Sequence, residues 1–280
     1  MNEMFILDEL YINKYGIESY PKDGDLLDKF IYYKYKKVGG IDPDASEEVM
    51  NIHLKSNLLF AGFQAYTENY AWRKYQIKCN DICYRGDTIF NCMELLLQIA
   101  GHYRKEGKNQ KIDIDSFKKT EFYTENRKLI NKFIYWCYNP GNMCVVPYSS
   151  KYYSLNYAKE YLSQPGYKYC LKDSADRYFR VLCDYFTSAQ TIGPVEKIVE
   201  RLEKNDKFGA WRDRYHDNIG QYKDDNCFQP FFEGNSPKQF FVITDKGFEA
   251  DIKDYMEKVI TALKERTKLL LVPEAQKNHL

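Results

Sequence analysis

Apolar positions recur at steps of three and four in several stretches of the chain, the period that gives a helix one buried stripe. Leu26, Leu27, Phe30, Ile31 and Tyr35 outline a first helix, and Met50, Ile52 and Leu54 frame His53 on another. A second amphipathic helix is expected from about Thr88, with Ile89, Phe90, Met93, Leu96, Leu97 and Ala100 on one face. A third carries Leu129, Ile130, Phe133, Ile134 and Cys137; a fourth carries Tyr178, Phe179, Leu182, Tyr185 and Phe186; a fifth runs from Val195 to Leu202. The longest pattern is the last, where Ile252, Tyr255, Met256, Val259, Leu263 and Arg266 predict a helix from about Gly247 to Leu270, ended before Pro273.

Strand signals are fewer. Tyr75 to Tyr84 reads as one extended segment with Tyr75, Ile77 and Cys79 facing one way, and Ile82 and Tyr84 break the alternation as a bulge would. Met143–Val146, ended by Pro147, and Phe240–Ile243 are short apolar runs of strand type. Breaks at Gly39-Gly40, Gly107, Pro140-Gly141, Pro165-Gly166 and 232–237 are turn chemistries rather than linkers, and no internal repeat or low-complexity segment interrupts the chain. The pattern predicts an α+β protein: one mostly helical single domain, residues 1–280, around a small β-sheet, with a helical C-terminal extension available over 245–280.

Composition narrows the class. With 280 residues, 44% hydrophobic and 16% aromatic, the chain has material for a real core and excludes a collagen-like or disordered polymer. No run approaches the roughly 20 apolar residues that cross a bilayer, and Met1-Asn2-Glu3-Met4-Phe5 lacks the basic-then-apolar order of a secretory leader. A cytoplasmic protein with no membrane partner is therefore expected. Its eight cysteines then read as reduced, several of them in apolar stretches such as Val181-Leu182-Cys183. Cys79 and Cys83 form the one near pair and none of the four histidines is closely spaced with another, so no metal site and no cofactor is expected.

The 26 tyrosines and 17 phenylalanines invite base stacking, and Lys34, Lys36, Lys37 and the basic stretch Lys105 to Lys119 would serve a nucleic-acid binder. A net charge of +1 weakens that reading, because phosphate neutralisation supplies most such affinity. Tyrosine as amphipathic bulk in the core and at its rim accounts for the excess more simply.

The most informative polar motif is Tyr84-Arg85-Gly86-Asp87-Thr88, at the expected passage from strand to helix. Gly86 as the turn and Asp87 or Thr88 as the cap explain three of these residues but give Arg85 no structural task. A guanidinium beside a glycine turn and free helix amides makes an anion pocket. An aromatic-Arg-Gly at a strand end also resembles ADP-ribosyltransferases, which further need a Ser strand and a catalytic Glu. Ser154 and Glu233 are the available residues, and neither stands in such a motif. Before the fourth helix, Asp173 or Ser174 reads as an N-cap, Asp176 as a dipole partner or an acid/base, and Arg177 and Arg180 share a helix face. Gly141 reads as a positive-φ turn residue, and Asn156, with no turn to serve, as a ligand contact. No nucleophile elbow, phosphate loop, zinc motif or dinucleotide fingerprint occurs, so the sequence assigns no reaction class.

Several of these segments occur in one order: Gly40-Ile41-Asp42-Pro43-Asp44-Ala45-Ser46, His53-Leu54-Lys55, Gly86-Asp87-Thr88, Tyr138-Asn139-Pro140-Gly141-Asn142, Ser154-Leu155-Asn156-Tyr157-Ala158-Lys159 and Lys172-Asp173-Ser174-Ala175-Asp176-Arg177. The order resembles an uncharacterised domain family of bacteria and some eukaryotes, over residues 40 to 190. The family pattern has Arg where Ser174 stands and a Trp after the histidine segment, which this chain lacks. What the resemblance implies is that the polar segments belong around one cleft; it brings no activity.

These readings converge on a polar cleft for a small anionic, nucleotide-like ligand. Arg85, Arg177 and Arg180 would supply charge, Asn142 and Asn156 hydrogen bonds, and Asp87 and Asp176 orientation or acid/base chemistry. The alternative is an interaction module of a mobile-element or phage-defence system, meeting a protein partner through an aromatic surface.

Overall fold

The structure, a computed structural model, describes residues 27, 51–52, 65–67, 75–79, 82–90, 96, 117–148, 214–215, 218–242 and 244–271, the strand segments 65–67, 75–79, 82–87 and 146–148 by their backbone. Six strands and three helices are bounded within these residues: β1 (Ala65–Thr67), β2 (Tyr75–Cys79), β3 (Ile82–Thr88), α1 (Glu121–Cys137), β4 (Met143–Tyr148), α2 (Ile219–Asn226), β5 (Phe232–Glu233), β6 (Ser236–Pro237) and α3 (Phe248–Leu271). The protein is mostly helical α+β. Strands β1 to β4 form one antiparallel sheet in chain order, and β5 and β6 a separate hairpin.

The segment expected as one long strand is two. Cys79 pairs with Ile82 across an antiparallel ladder, so the break in alternation separates two strands rather than marking a bulge in one. The motif expected to turn into a helix also stays in the sheet: Gly86, Asp87 and Thr88 oppose Val145, Cys144 and Met143. Thr88 is the last residue of β3; Ile89 and Phe90 bend away, and Leu96 is helical and buried. Strand β4 runs through Pro147, which opposes Tyr84. Among the described strands β4 is an edge, where a residue without an N–H is tolerated.

Helix α1 begins at Thr120, an extended residue whose Oγ1 accepts from Tyr123 N at 3.2 Å. Its stripe of Phe122, Tyr123, Ile130, Phe133, Ile134 and Cys137 is buried. The Tyr138 N–H caps the end on Ile134 O and Tyr135 O, and Pro140 then opens a single 3-10 turn, Pro140–Asn142. Helix α3 buries the predicted stripe of Ile252, Tyr255, Met256, Val259, Leu263 and Arg266, together with Ile260 and Leu270, and lies against α1 and the 3-10 turn. Each fully buried aliphatic side chain of this kind contributes about 1.5–3 kcal/mol. Burial therefore holds α3 in place far more firmly than helix propensity could.

Helix α2 has no apolar stripe in its sequence and is fixed at its ends instead. Asn218 Oδ1 accepts from Gln221 N at 3.0 Å. At the other end Cys227 takes the left-handed conformation (φ 54), with Phe228 N bonded to Lys223 O and Cys227 N to Asp224 O, the bonding pattern of a Schellman cap. Gly234 (φ 59) occupies the first position of the two-residue β5–β6 turn, which the sequence marks only as a break. Phe240 and Phe241 are buried but irregular, not a strand. Their rings join Phe90, Phe228, Phe231, Phe133 and Tyr255 in one aromatic cluster with centroid spacings from 5.3 Å to 6.5 Å. The aromatic residues of this region are core, as the simpler account of the composition requires. The expected helices at 178–186 and 195–202 lie outside the described residues.

Candidate ligand site

Residues opposed across an antiparallel pair belong to the same face of a sheet. The registers therefore sort the four strands into rows. Tyr66, Gln76, Arg85 and Val146 form a row across all four strands, Lys78, Cys83 and Tyr148 a second on the same face, and Asp87 with Cys144 a third. The opposite face takes Ala65, Ile77, Tyr84 and Pro147, and then Gly86 with Val145. The sheet is thus two-sided in chemistry, with one set of rows rich in polar residues and the other largely apolar. Arg85 and Asp87 stand two apart on the polar set, in a strand paired along both edges.

Asn142 is 1% exposed, and its amide is committed to the main chain. Oδ1 accepts from Phe90 N at 2.8 Å, while Nδ2 donates to Phe90 O at 3.0 Å and Cys137 O at 2.7 Å; the Asn142 carbonyl also accepts from Ile89 N at 2.8 Å. The residue expected as a ligand contact clamps the exit of β3 to the end of α1. Asn156, Asp176, Arg177 and Arg180 lie outside the described residues, as does Ser154. Glu233 is exposed in β5, on the hairpin rather than in the sheet that holds Arg85.

Gly141 departs from its expected role in an instructive way. The positive-φ glycines among the described residues are Gly234 and Gly247. Gly141 is required by proximity: a Cβ there would collide with the carbonyl of Leu263 and with Thr267 Oγ1 on α3. Its N–H donates to Thr267 Oγ1 at 3.1 Å, and that hydroxyl donates to Leu263 O at 2.8 Å.

Two buried polar centres emerge that the motif reading did not single out. Arg266, 0% exposed, donates from Nη1 to Gly141 O at 2.7 Å and Met143 O at 2.6 Å, and from Nη2 and Nε to Asn226 O at 3.1 Å and 3.2 Å. Its guanidinium carbon lies 4.4 Å from the centroid of the Phe228 ring, a cation–π stack. The second centre is Asp225. Its Oδ2 accepts from Arg214 Nη2 at 2.8 Å, Arg214 Nε at 3.1 Å and Tyr215 OH at 2.9 Å, and its Oδ1 from Gln221 Nε2 at 2.7 Å. Burial, reinforced by the Asp225 charge, pushes the Tyr215 phenol well above its ordinary range and keeps it a neutral donor. Burial is the largest single influence on the Arg214 guanidinium and pulls it down, but the hydrogen bonds and charges of Asp225 and Tyr215 together outweigh it and the net shift is upward. A carboxylate that accepts from four donors ties residues 214–215 to α2.

Among the described residues no cluster of three or more His, Cys, Asp or Glu could hold a metal ion, and no helix is long and apolar enough to cross a membrane. Comparison with family models, curated proteins and solved structures returns no match, so no site residues are carried over from a relative.

Proposed function

We propose that the protein binds a small anionic, nucleotide-like ligand on the polar side of the four-stranded sheet, with Arg85 as the principal anion contact. The observation that carries the reading is the register: Arg85 shares a row with Tyr66 and Gln76 and stands two positions from Asp87 in the same strand. A guanidinium fork matches phosphate or carboxylate oxygens two at a time, and a strand bonded along both edges holds its backbone still while it does so. Asp87 then orients a hydroxyl or amino group of the ligand, or moves a proton on it. Arg177, Arg180, Asp176 and Asn156 complete the site from the chain that follows β4. Asn142 serves by fixing the end of β3 and not by touching the ligand.

A thermal-shift screen of nucleoside mono-, di- and triphosphates and inorganic phosphate tests this. The expected result is stabilisation of the wild type that Arg85→Ala abolishes while leaving the ligand-free melting temperature unchanged. A wild type that no anion stabilises would overturn it.

A further inference from the structure

The whole β3–β4 ladder starts at one point. Met143 opposes Thr88, Cys144 opposes Asp87, and Val146 opposes Arg85. The carbonyl of Met143 is also an acceptor for Arg266, whose Nη1 bonds Gly141 O two residues earlier as well. The same guanidinium reaches Asn226 O at the end of α2. Thr267, its neighbour on α3, takes the Gly141 N–H. A buried fork with several fixed acceptors holds geometry better than apolar packing, because each donor direction is set by the plane of the group.

We propose that Arg266 is a positioning residue for the ligand site: it pins the first residue of β4 to α3, and through the ladder fixes where Arg85 and Asp87 stand. The inference rests on the functional reading above for its consequence, but not for its geometry. It makes α3 a part of the site although none of its residues belongs to the sheet. A loosened Met143 would let β4 slip or fray from β3, and the two candidate residues would lose their spacing to anything held by the rest of the chain.

The test uses the full chain carrying Arg266→Lys, which keeps the charge but not the fork, and Thr267→Val, which removes the Gly141 contact on the same helix turn. Hydrogen exchange is followed by mass spectrometry in peptides spanning 82–88 and 143–148, with peptides from α1 as the internal reference, and ATP is the probe for a thermal shift. Loss of one charge-assisted bond predicts roughly tenfold or faster exchange in the two strands with α1 little changed. The ATP-induced shift should shrink in parallel. Exchange that rises equally everywhere, or not at all, in both variants would make Arg266 an ordinary stabilising residue and overturn the proposal. So would selective loosening with an undiminished ATP shift. If the wild type shows no ATP shift, the functional reading fails while the exchange pattern still decides whether Arg266 positions β3.

Discussion

Arg266 and Gly141 meet where α3 crosses the turn before β4, with the guanidinium Nη1 2.7 Å from the glycine carbonyl and the glycine backbone pressed against the helix one turn earlier, at Leu263. The contact lets a charged side chain and a bare backbone share a space that admits no Cβ. It also explains why a charge sits on the apolar stripe of α3: its donors are taken up by carbonyls of other segments.

Gly141→Ala should therefore be severe for so small a change. The added methyl meets a helix carbonyl and the Thr267 hydroxyl, neither of which is the yielding end of a flexible side chain. Overpacking of this kind costs about 1–3 kcal/mol. Urea denaturation should show a lowered midpoint with an unchanged slope. Gly234→Ala on the exposed turn should cost less, because open space surrounds that position and only its positive φ opposes a side chain.

Tyr215 should give an alkaline signature. Its phenol is held above the ordinary value of 10.0 by burial and by Asp225, so the folded state keeps a proton that the unfolded chain releases. The stability this provides is complete below pH 10 and is lost as pH rises from there towards the folded value. Wild-type stability measured against pH should fall more steeply above pH 10 than that of Tyr215→Phe. Equal slopes would mean that the phenol ionises as readily in the folded chain.

Asp251 should give the acid counterpart. The Thr244 hydroxyl and then the Thr244 N–H donate to its carboxylate, at 2.5 Å and 2.9 Å, and hold it below the ordinary value of 3.8. Its contribution is present above pH 3.8 and lost as pH falls through the lower folded value. Asp251→Asn should flatten the acid limb of the stability profile without moving the alkaline limb. An unchanged acid limb would exclude Asp251 as one of its sources.

Two helices of the described residues were legible from their long apolar stripes. Those of α1 and α3 predict the elements that form, and Arg266 in the stripe of α3 was itself a sign of a buried polar centre. Helix α2 was not legible, because capping by Asn218 and Cys227 and the Asp225 tie to Arg214 and Tyr215 stabilise it in place of an apolar face. The segment from Tyr84 to Thr88 misled because glycine followed by Asp-Thr is turn and cap chemistry locally, while pairing with β4, far along the chain, wins. Gly141 misled for a related reason: proximity to α3 is a tertiary fact that no local spacing carries. Of the candidate site, Arg85 and Asp87 were named from one motif, but as a strand end and a helix cap; that both stand in β3 follows only from pairing with β4, and the task of Asn142 was visible only once Phe90 and Cys137 stood beside it.

The central claim is that Arg85 holds an anion, and equilibrium binding of a fluorescent ATP analogue to wild type, Arg85→Ala and Arg85→Lys measures it most directly. The account predicts saturable wild-type binding that weakens as salt rises, a loss of roughly tenfold or more in Arg85→Ala, and partial retention in Arg85→Lys, since a point charge replaces a fork. Equal affinity in wild type and Arg85→Ala, or no binding by a folded wild type at low salt, would contradict it.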